Sequence, residues 1–150
     1  MPHARLARVS TPEPSRARHT TRLRVRYAET DAGGGVHHGE YLTYFEVARV
    51  EALRTLGVPV GGFEARGILM PVVEARLRYL RPAHLDDLLD VTVLLSAVGP
   101  ASFSFDYEVT REGLLLVTGW TRMAVVARDT GRAIQLPAWV RELLGGIAAT

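Results

Sequence analysis

The chain contains no cysteine, and all 18 of its basic side chains are arginine, so lysine is absent as well. Without thiols, disulfides, thiolate zinc sites, iron-sulfur clusters and cysteine nucleophiles are excluded. Without lysine, Schiff-base chemistry and a phosphate-loop lysine are excluded too. Apolar runs are short. Gly113-Leu-Leu-Leu-Val117 is far below the roughly 18 residues that suggest a bilayer span. There is no Gly-x-Ser-x-Gly, and no Gly-x-Gly-x-x-Gly follows a strand, which removes the serine-hydrolase elbow and the dinucleotide fold. What remains is 150 residues, 47% hydrophobic and 23% charged, an ordinary composition for one globular domain long enough to bury a core.

The net charge of +2 is unevenly placed. Residues 1–20 carry Arg5, Arg8, Arg16 and Arg18 against Glu13, which leaves 14 arginines against 15 acids in residues 21–150. The folded part is close to neutral, which argues against a nucleic-acid-binding face. The first 20 residues mix arginine with Pro2, Pro12, Pro14, Ser and Thr. They have no apolar run, and read as a disordered tail without a secretory segment. The expected location is the cytoplasm, with no membrane insertion, and the expected domain is 21–150.

From Thr21, Leu23, Val25 and Tyr27 alternate with arginines, the period of a half-buried strand. Thr30-Asp-Ala-Gly-Gly-Gly35 follows as a tight loop. Between Gly39 and Leu56, the residues Tyr41, Phe45, Ala48, Ala52 and Leu56 recur at three and four. That is an amphipathic helix of about 27 Å at ~1.5 Å per residue, with Gly57 as its C-terminal cap and Pro59 blocking continuation. Gly61, Gly62 and Gly67 then mark a loop. Four strands are predicted at Leu69–Leu80, Leu88–Val98, Ala101–Arg111 and Leu114–Arg128, separated by turn signals, and a short helix at Pro137–Leu144. Short connections favour antiparallel pairing, with one helix on one face of the sheet, an α+β arrangement.

The densest set of reactive groups is Tyr27, Glu29, Asp31, His37 and His38, gathered at a strand end, a glycine loop and a helix start. A helix N-terminus leaves amide protons unpaired and carries partial positive charge, so it stabilises a carbonyl oxygen that is gaining negative charge. Asp31 sits where a base or nucleophile is needed, and equally where a turn-forming aspartate is common. Adjacent His37 and His38 lack the spacing of a metal pair. Tyr27, in phase with Leu23 and Val25, also fits a core position.

The stretch from Val25 to Arg49, with Tyr27-Ala-Glu-Thr-Asp-Ala-Gly-Gly-Gly-Val-His-His-Gly-Glu-Tyr41 at its centre, resembles the signature of the 4-hydroxybenzoyl-CoA-thioesterase-like hot-dog family, and within it the Tol-Pal-associated acyl-CoA thioesterases. Arg81-Pro-Ala-His-Leu-Asp-Asp-Leu-Leu-Asp-Val91 resembles the segment entering that family's third strand. The resemblance implies a hot-dog fold, a five-stranded antiparallel sheet around one long helix, and an acyl-CoA thioesterase that needs no cofactor. It also implies a homodimer or homotetramer with sites at the subunit interface. By motif position, Asp31 matches the acidic catalytic residue, His38 the histidine at the helix start and Tyr27 the tyrosine four residues before the acid. Gly34, Gly35, His37 and Arg81 are the expected substrate contacts, with Arg81 facing the anionic CoA. His37 stands where the family usually has tyrosine, and Gly39-Glu40 replace Ala followed by Asn or Ser. A non-catalytic acyl-thioester-binding module and a hot-dog dehydratase or hydratase are the competing readings.

Overall fold

The structure, a computed structural model, describes residues 18–149, with side chains described through Gly145. Residues 1–17, most of the expected tail, lie outside the described residues. Strand β1 (His19–Arg24) begins two residues before Thr21 and ends before Tyr27. The expected strand therefore does not carry Tyr27 into the core: that side chain sits in a 3-10 turn, Tyr27–Glu29, and is 80% exposed.

Helix α1 (Glu40–Thr55) matches the predicted periodicity, burying Tyr41, Tyr44, Phe45, Ala48, Ala52 and Leu53. Gly57, at φ 93°, donates its N–H to the Arg54 carbonyl and closes the helix, a left-handed cap that glycine adopts without steric cost. A second helix, α2 (Val60–Ala65), stands where a loop was expected. Pro59, in extended conformation, starts it. Phe63, fully buried against the ring of Trp139, gives this glycine-containing segment a reason to fold that local propensity lacks.

The predicted strand Leu69–Leu80 is two strands, β2 (Ile68–Leu69) and β3 (Val72–Tyr79), because Met70-Pro71 interrupts it and proline has no N–H to donate. Strands β4 (Leu88–Val98), β5 (Ser102–Arg111) and β6 (Leu114–Ala124) form a meander. The short β7 (Val126–Ala127) pairs with β2, and helix α3 (Ala138–Ala149) extends beyond the predicted one. The main sheet is antiparallel throughout, in the order β1-β4-β5-β6-β3. Consecutive strands β3 and β4 are thus not neighbours, contrary to the simplest reading of their short connection. Residues 80–87 instead cross the end of the sheet, held by the N–H groups of Leu80 and Arg81 on the Leu116 carbonyl and by an Arg111–Asp87 ion pair of 2.7 Å.

The sheet's inner face, including Leu89, Val91, Val93, Phe103, Phe105, Tyr107 and Val109, packs against Phe45 and Ala48 of α1, all fully or almost fully buried. Phe45 lies flat on Tyr107, ring centroids 4.2 Å apart and planes at 10°. One long helix on a five-stranded antiparallel sheet is the hot-dog arrangement.

Candidate active site

Beyond β1, the Val25 N–H bonds to the Asp87 carbonyl, and the chain makes a tight hairpin in which Thr30 bridges Val36. Three backbone bonds close it: Asp31 N–H to Gly35, Gly34 N–H to Asp31 and His37 N–H to Glu29. Gly34 sits at φ 87°, where any other L-residue is strained. Gly35 packs its backbone beside Pro82 and Ala83, and the Val36 N–H reaches the Ala83 carbonyl. The two motifs separated by some 50 positions in sequence are therefore one surface.

Asp31 lies exposed at the tip of this hairpin. Its Oδ1 accepts the Gly33 N–H at 2.9 Å, an Asx turn of the kind expected of aspartate before glycine. Its Oδ2 takes no hydrogen bond from the described residues. The turn and reactive readings of Asp31 are compatible, because they use different oxygens: the turn orients the carboxylate and leaves one oxygen uncommitted.

Nine residues on, the chain enters α1 at Glu40. His37 Nδ1 accepts the Gly39 N–H at 3.2 Å, so this ring fastens the residue that precedes the helix. The two histidine rings lie against one another at 4.2 Å. The Glu40 N–H bonds to the His37 carbonyl, while the His38 N–H has no acceptor among the described residues. An unpaired amide at the positive end of a 16-residue helix is a ready donor for an anionic oxygen.

Glu29, 6% exposed, is the brace beneath the site. Its carboxylate accepts the Arg26 N–H and guanidinium and the Tyr44 hydroxyl, each at 2.9 Å. Burial pushes this carboxyl up, but those three bonds outweigh it and hold its pKa below the usual carboxylate value. Burial, with Glu29 beside it, drives the Tyr44 phenol far up, so it remains a donor. A depressed folded-state pKa means that the unfolded chain takes up the proton first as pH falls. The stabilisation from Glu29 is therefore complete at neutral pH and lost from about pH 4.3 downward. Glu29→Gln is expected to lower unfolding free energy by about 2 kcal/mol at pH 7, with the difference from wild type shrinking at pH 3; urea titrations at both pH values check this.

The structure brings His38 and Arg81 into one shallow groove of about 260 Å³, with Val36, Tyr41, Tyr79, Leu80 and Pro82. Asp31, Gly34, Gly35, His37 and Tyr27 do not line that groove. The Tyr27 hydroxyl makes no hydrogen bond among the described residues. A partly open cavity of about 450 Å³ beside the second half of α1, lined by Glu46, Arg49, Phe63, Phe103, Phe105 and Met123 among others, contains none of the predicted residues. Sequence reasoning missed three contributors. Tyr44 and Tyr41 carry a detectable signal, being on the buried stripe of α1. The Tyr41 hydroxyl accepts the Ala83 N–H at 3.2 Å and so ties the helix to the second motif. Tyr79 carries no signal at all: its hydroxyl donates to the His38 carbonyl at 3.0 Å across 41 residues. Among the described residues, no three metal-ligating side chains cluster, and no helix is long and apolar enough to cross a membrane.

Comparison with known proteins places these features in context. The sequence profile of the thioesterase-like superfamily matches residues 25–144. The acyl-CoA thioesterase YbgC of Haemophilus influenzae is 35% identical over 120 residues, 79% of this chain and 88% of that one. Among solved structures, the protein TT1821 of Thermus thermophilus superimposes with a TM-score of 0.82 at 39% identity, over 86% of this chain and 98% of its own. The DHNA-CoA thioesterase of Staphylococcus aureus superimposes with a TM-score of 0.81 at 30% identity, over 87% and 90%.

Proposed function

The chain belongs to the thioesterase-like superfamily, and from that premise we propose that it hydrolyses acyl-CoA thioesters to the free acid and CoA by means of Asp31 and the N-terminus of α1. The observation that carries this reading is the pairing of an exposed carboxylate having one uncommitted oxygen with a helix start whose His38 N–H is unpartnered. The thioester carbonyl oxygen accepts the His38 N–H, and charge developing on it is stabilised there. One such donor contributes on the order of 3 kcal/mol to the barrier. Either Asp31 attacks the carbonyl carbon, the C–S bond breaks with departure of the CoA thiolate, and water then hydrolyses the acyl-aspartyl anhydride; or Asp31 takes a proton from the water that attacks, and the C–S bond breaks with departure of the thiolate. The chemistry needs no cofactor. Among the described basic groups, Arg81, exposed in the same groove as His38, suits the anionic CoA. A role for Tyr27, exposed and outside that groove, is part of the proposal only through the motif; Tyr27→Phe with unchanged kcat/KM removes it from the reaction.

The Tol-Pal-associated subgroup is part of this proposal, on the resemblance of the stretch from Val25 to Arg49. A polyanionic CoA ester does not cross a bilayer unaided, so the substrate supports a cytoplasmic location.

The proposal extends to a dimer or tetramer. Strand β3 is an edge of the sheet, with Val72 41% and Val73 50% exposed beside Glu74, Arg76 and Arg78, and an edge with unpaired backbone groups invites a second strand. Sedimentation equilibrium is expected to give at least a dimer; a monomer at every concentration rejects the assembly.

Thiol release from short-chain, long-chain and aromatic acyl-CoAs tests the function. Turnover of any member supports hydrolysis and names the acyl class. Binding without release from every member replaces it with a carrier or sensor.

A further inference from the structure

We infer that Tyr79 is a positioning residue for the reaction, holding the first turn of α1 so that the His38 N–H points at the developing oxyanion. The inference rests on the thioesterase reading above and assigns a role to a side chain outside the family-like motifs.

The first turn of α1 is held by few groups. Gly39 precedes the helix without a capping side chain of its own, and glycine there has wide backbone freedom. The turn is fastened from within by the His37 ring on the Gly39 N–H and by the Glu40 N–H on the His37 carbonyl. From outside it is fastened at the His38 carbonyl, by Tyr79. That bond fixes the plane of the peptide linking His38 to Gly39. The adjoining peptide, between His37 and His38, carries the unpartnered N–H. Rotation about the His38 backbone would swing that donor off its target, so locking the next peptide restricts the swing.

Tyr79 is well placed to serve as a fixed point. Its strand pairs with β6 along seven residues, ending at Tyr79 opposite Val117. Its ring meets Tyr41 edge to face at 5.6 Å, and Tyr41 in turn accepts the Ala83 N–H. The hydroxyl is therefore carried by the sheet, and the amide that it orients is carried by the helix. Tyr79→Phe keeps the ring and its contact with Tyr41 and removes only the hydroxyl that bonds the His38 carbonyl.

Tyr79→Phe tests this. Donor misplacement of a fraction of an ångström is expected to lower kcat roughly tenfold, with KM, Tm and sedimentation unchanged. Amide exchange at Glu40 and Leu42 is expected to quicken while the rest of α1 keeps its protection. Unchanged kcat overturns the inference, and so does a raised KM at constant kcat, which makes Tyr79 a substrate contact. A fall in kcat accompanied by a lower Tm also overturns it, in favour of general support of the fold. If the wild-type protein releases no thiol from any acyl-CoA, the thioesterase reading fails by itself. Exchange at Glu40 and Leu42 then decides whether Tyr79 holds the turn, and unchanged exchange overturns that as well.

Discussion

Asp31→Asn is expected to lower kcat for thioester hydrolysis by about 10²- to 10⁴-fold, the range for loss of a positioned proton acceptor, while leaving Tm and acyl-CoA affinity close to wild type. Asparagine makes this a clean experiment. Its Oδ1 still accepts the Gly33 N–H, so the Asx turn that Asp31 makes at 2.9 Å survives, and only the charge and the uncommitted oxygen change. Asp31→Ala removes both, and a comparison of the two variants separates the turn from the chemistry. Single turnover in ¹⁸O-water and rapid-quench mass spectrometry of the protein separate the two catalytic roles. Label in the Asp31 side chain, or an acylated Asp31 trapped before turnover is complete, shows that the carboxylate attacked; label confined to the product acid with no acylated Asp31 at any quench time shows that it activated water. Full activity in Asp31→Asn would exclude Asp31 from the reaction and reduce it to a turn residue.

Gly119→Ala is expected to destabilise the protein by about 3 kcal/mol, the upper part of the usual range for overpacking, and to lower Tm by roughly 10 °C. Glycine within a strand ordinarily costs about 0.5–1 kcal/mol relative to alanine, so the general expectation has the opposite sign. The local geometry decides. Gly119 lies on β6, opposite Tyr107 on one side and Leu77 on the other. A Cβ built there would overlap Cε2 and Cζ of the Phe45 ring and lie 3.3 Å from the Arg76 carbonyl oxygen. Phe45 has no room to retreat: it is completely buried and stacked on Tyr107. Moving it shifts the helix that also carries Tyr41 and Tyr44, the two anchors of the site. Phe45→Leu in the Gly119→Ala background is expected to recover part of the loss, a coupling that a double-mutant cycle measures. An unchanged Tm in Gly119→Ala would refute the close approach of helix and sheet at this point.

The residues proposed for the chemistry were legible because they are contiguous. Asp31, the glycines and His38 occupy one short stretch, and the apolar period of α1 follows directly. Strands β4, β5 and β6 were legible for a related reason: alternation and turn signals are properties of neighbours in sequence. The errors lie where distant contacts overrule local preference. Helix α2, rich in glycine, forms because Phe63 has Trp139 to bury against. Tyr27 leaves the core because β1 ends at Arg24 and turns toward Glu29. Strand β3 abandons β4 for β6, since residues 80–87 are fastened along the end of the sheet.

By itself, then, the sequence determined the residue types of the site, their order, and the elements that carry them, because hydrogen-bonding capacity and hydrophobic period are written locally. Only the tertiary structure decided what holds those residues in place. The Glu29–Tyr44 brace spans 15 positions, the Tyr79–His38 bond 41 and the Tyr41–Ala83 bond 42. A single polar side chain says that it needs a partner, but which partner it finds depends on how the sheet is ordered and where α1 crosses it.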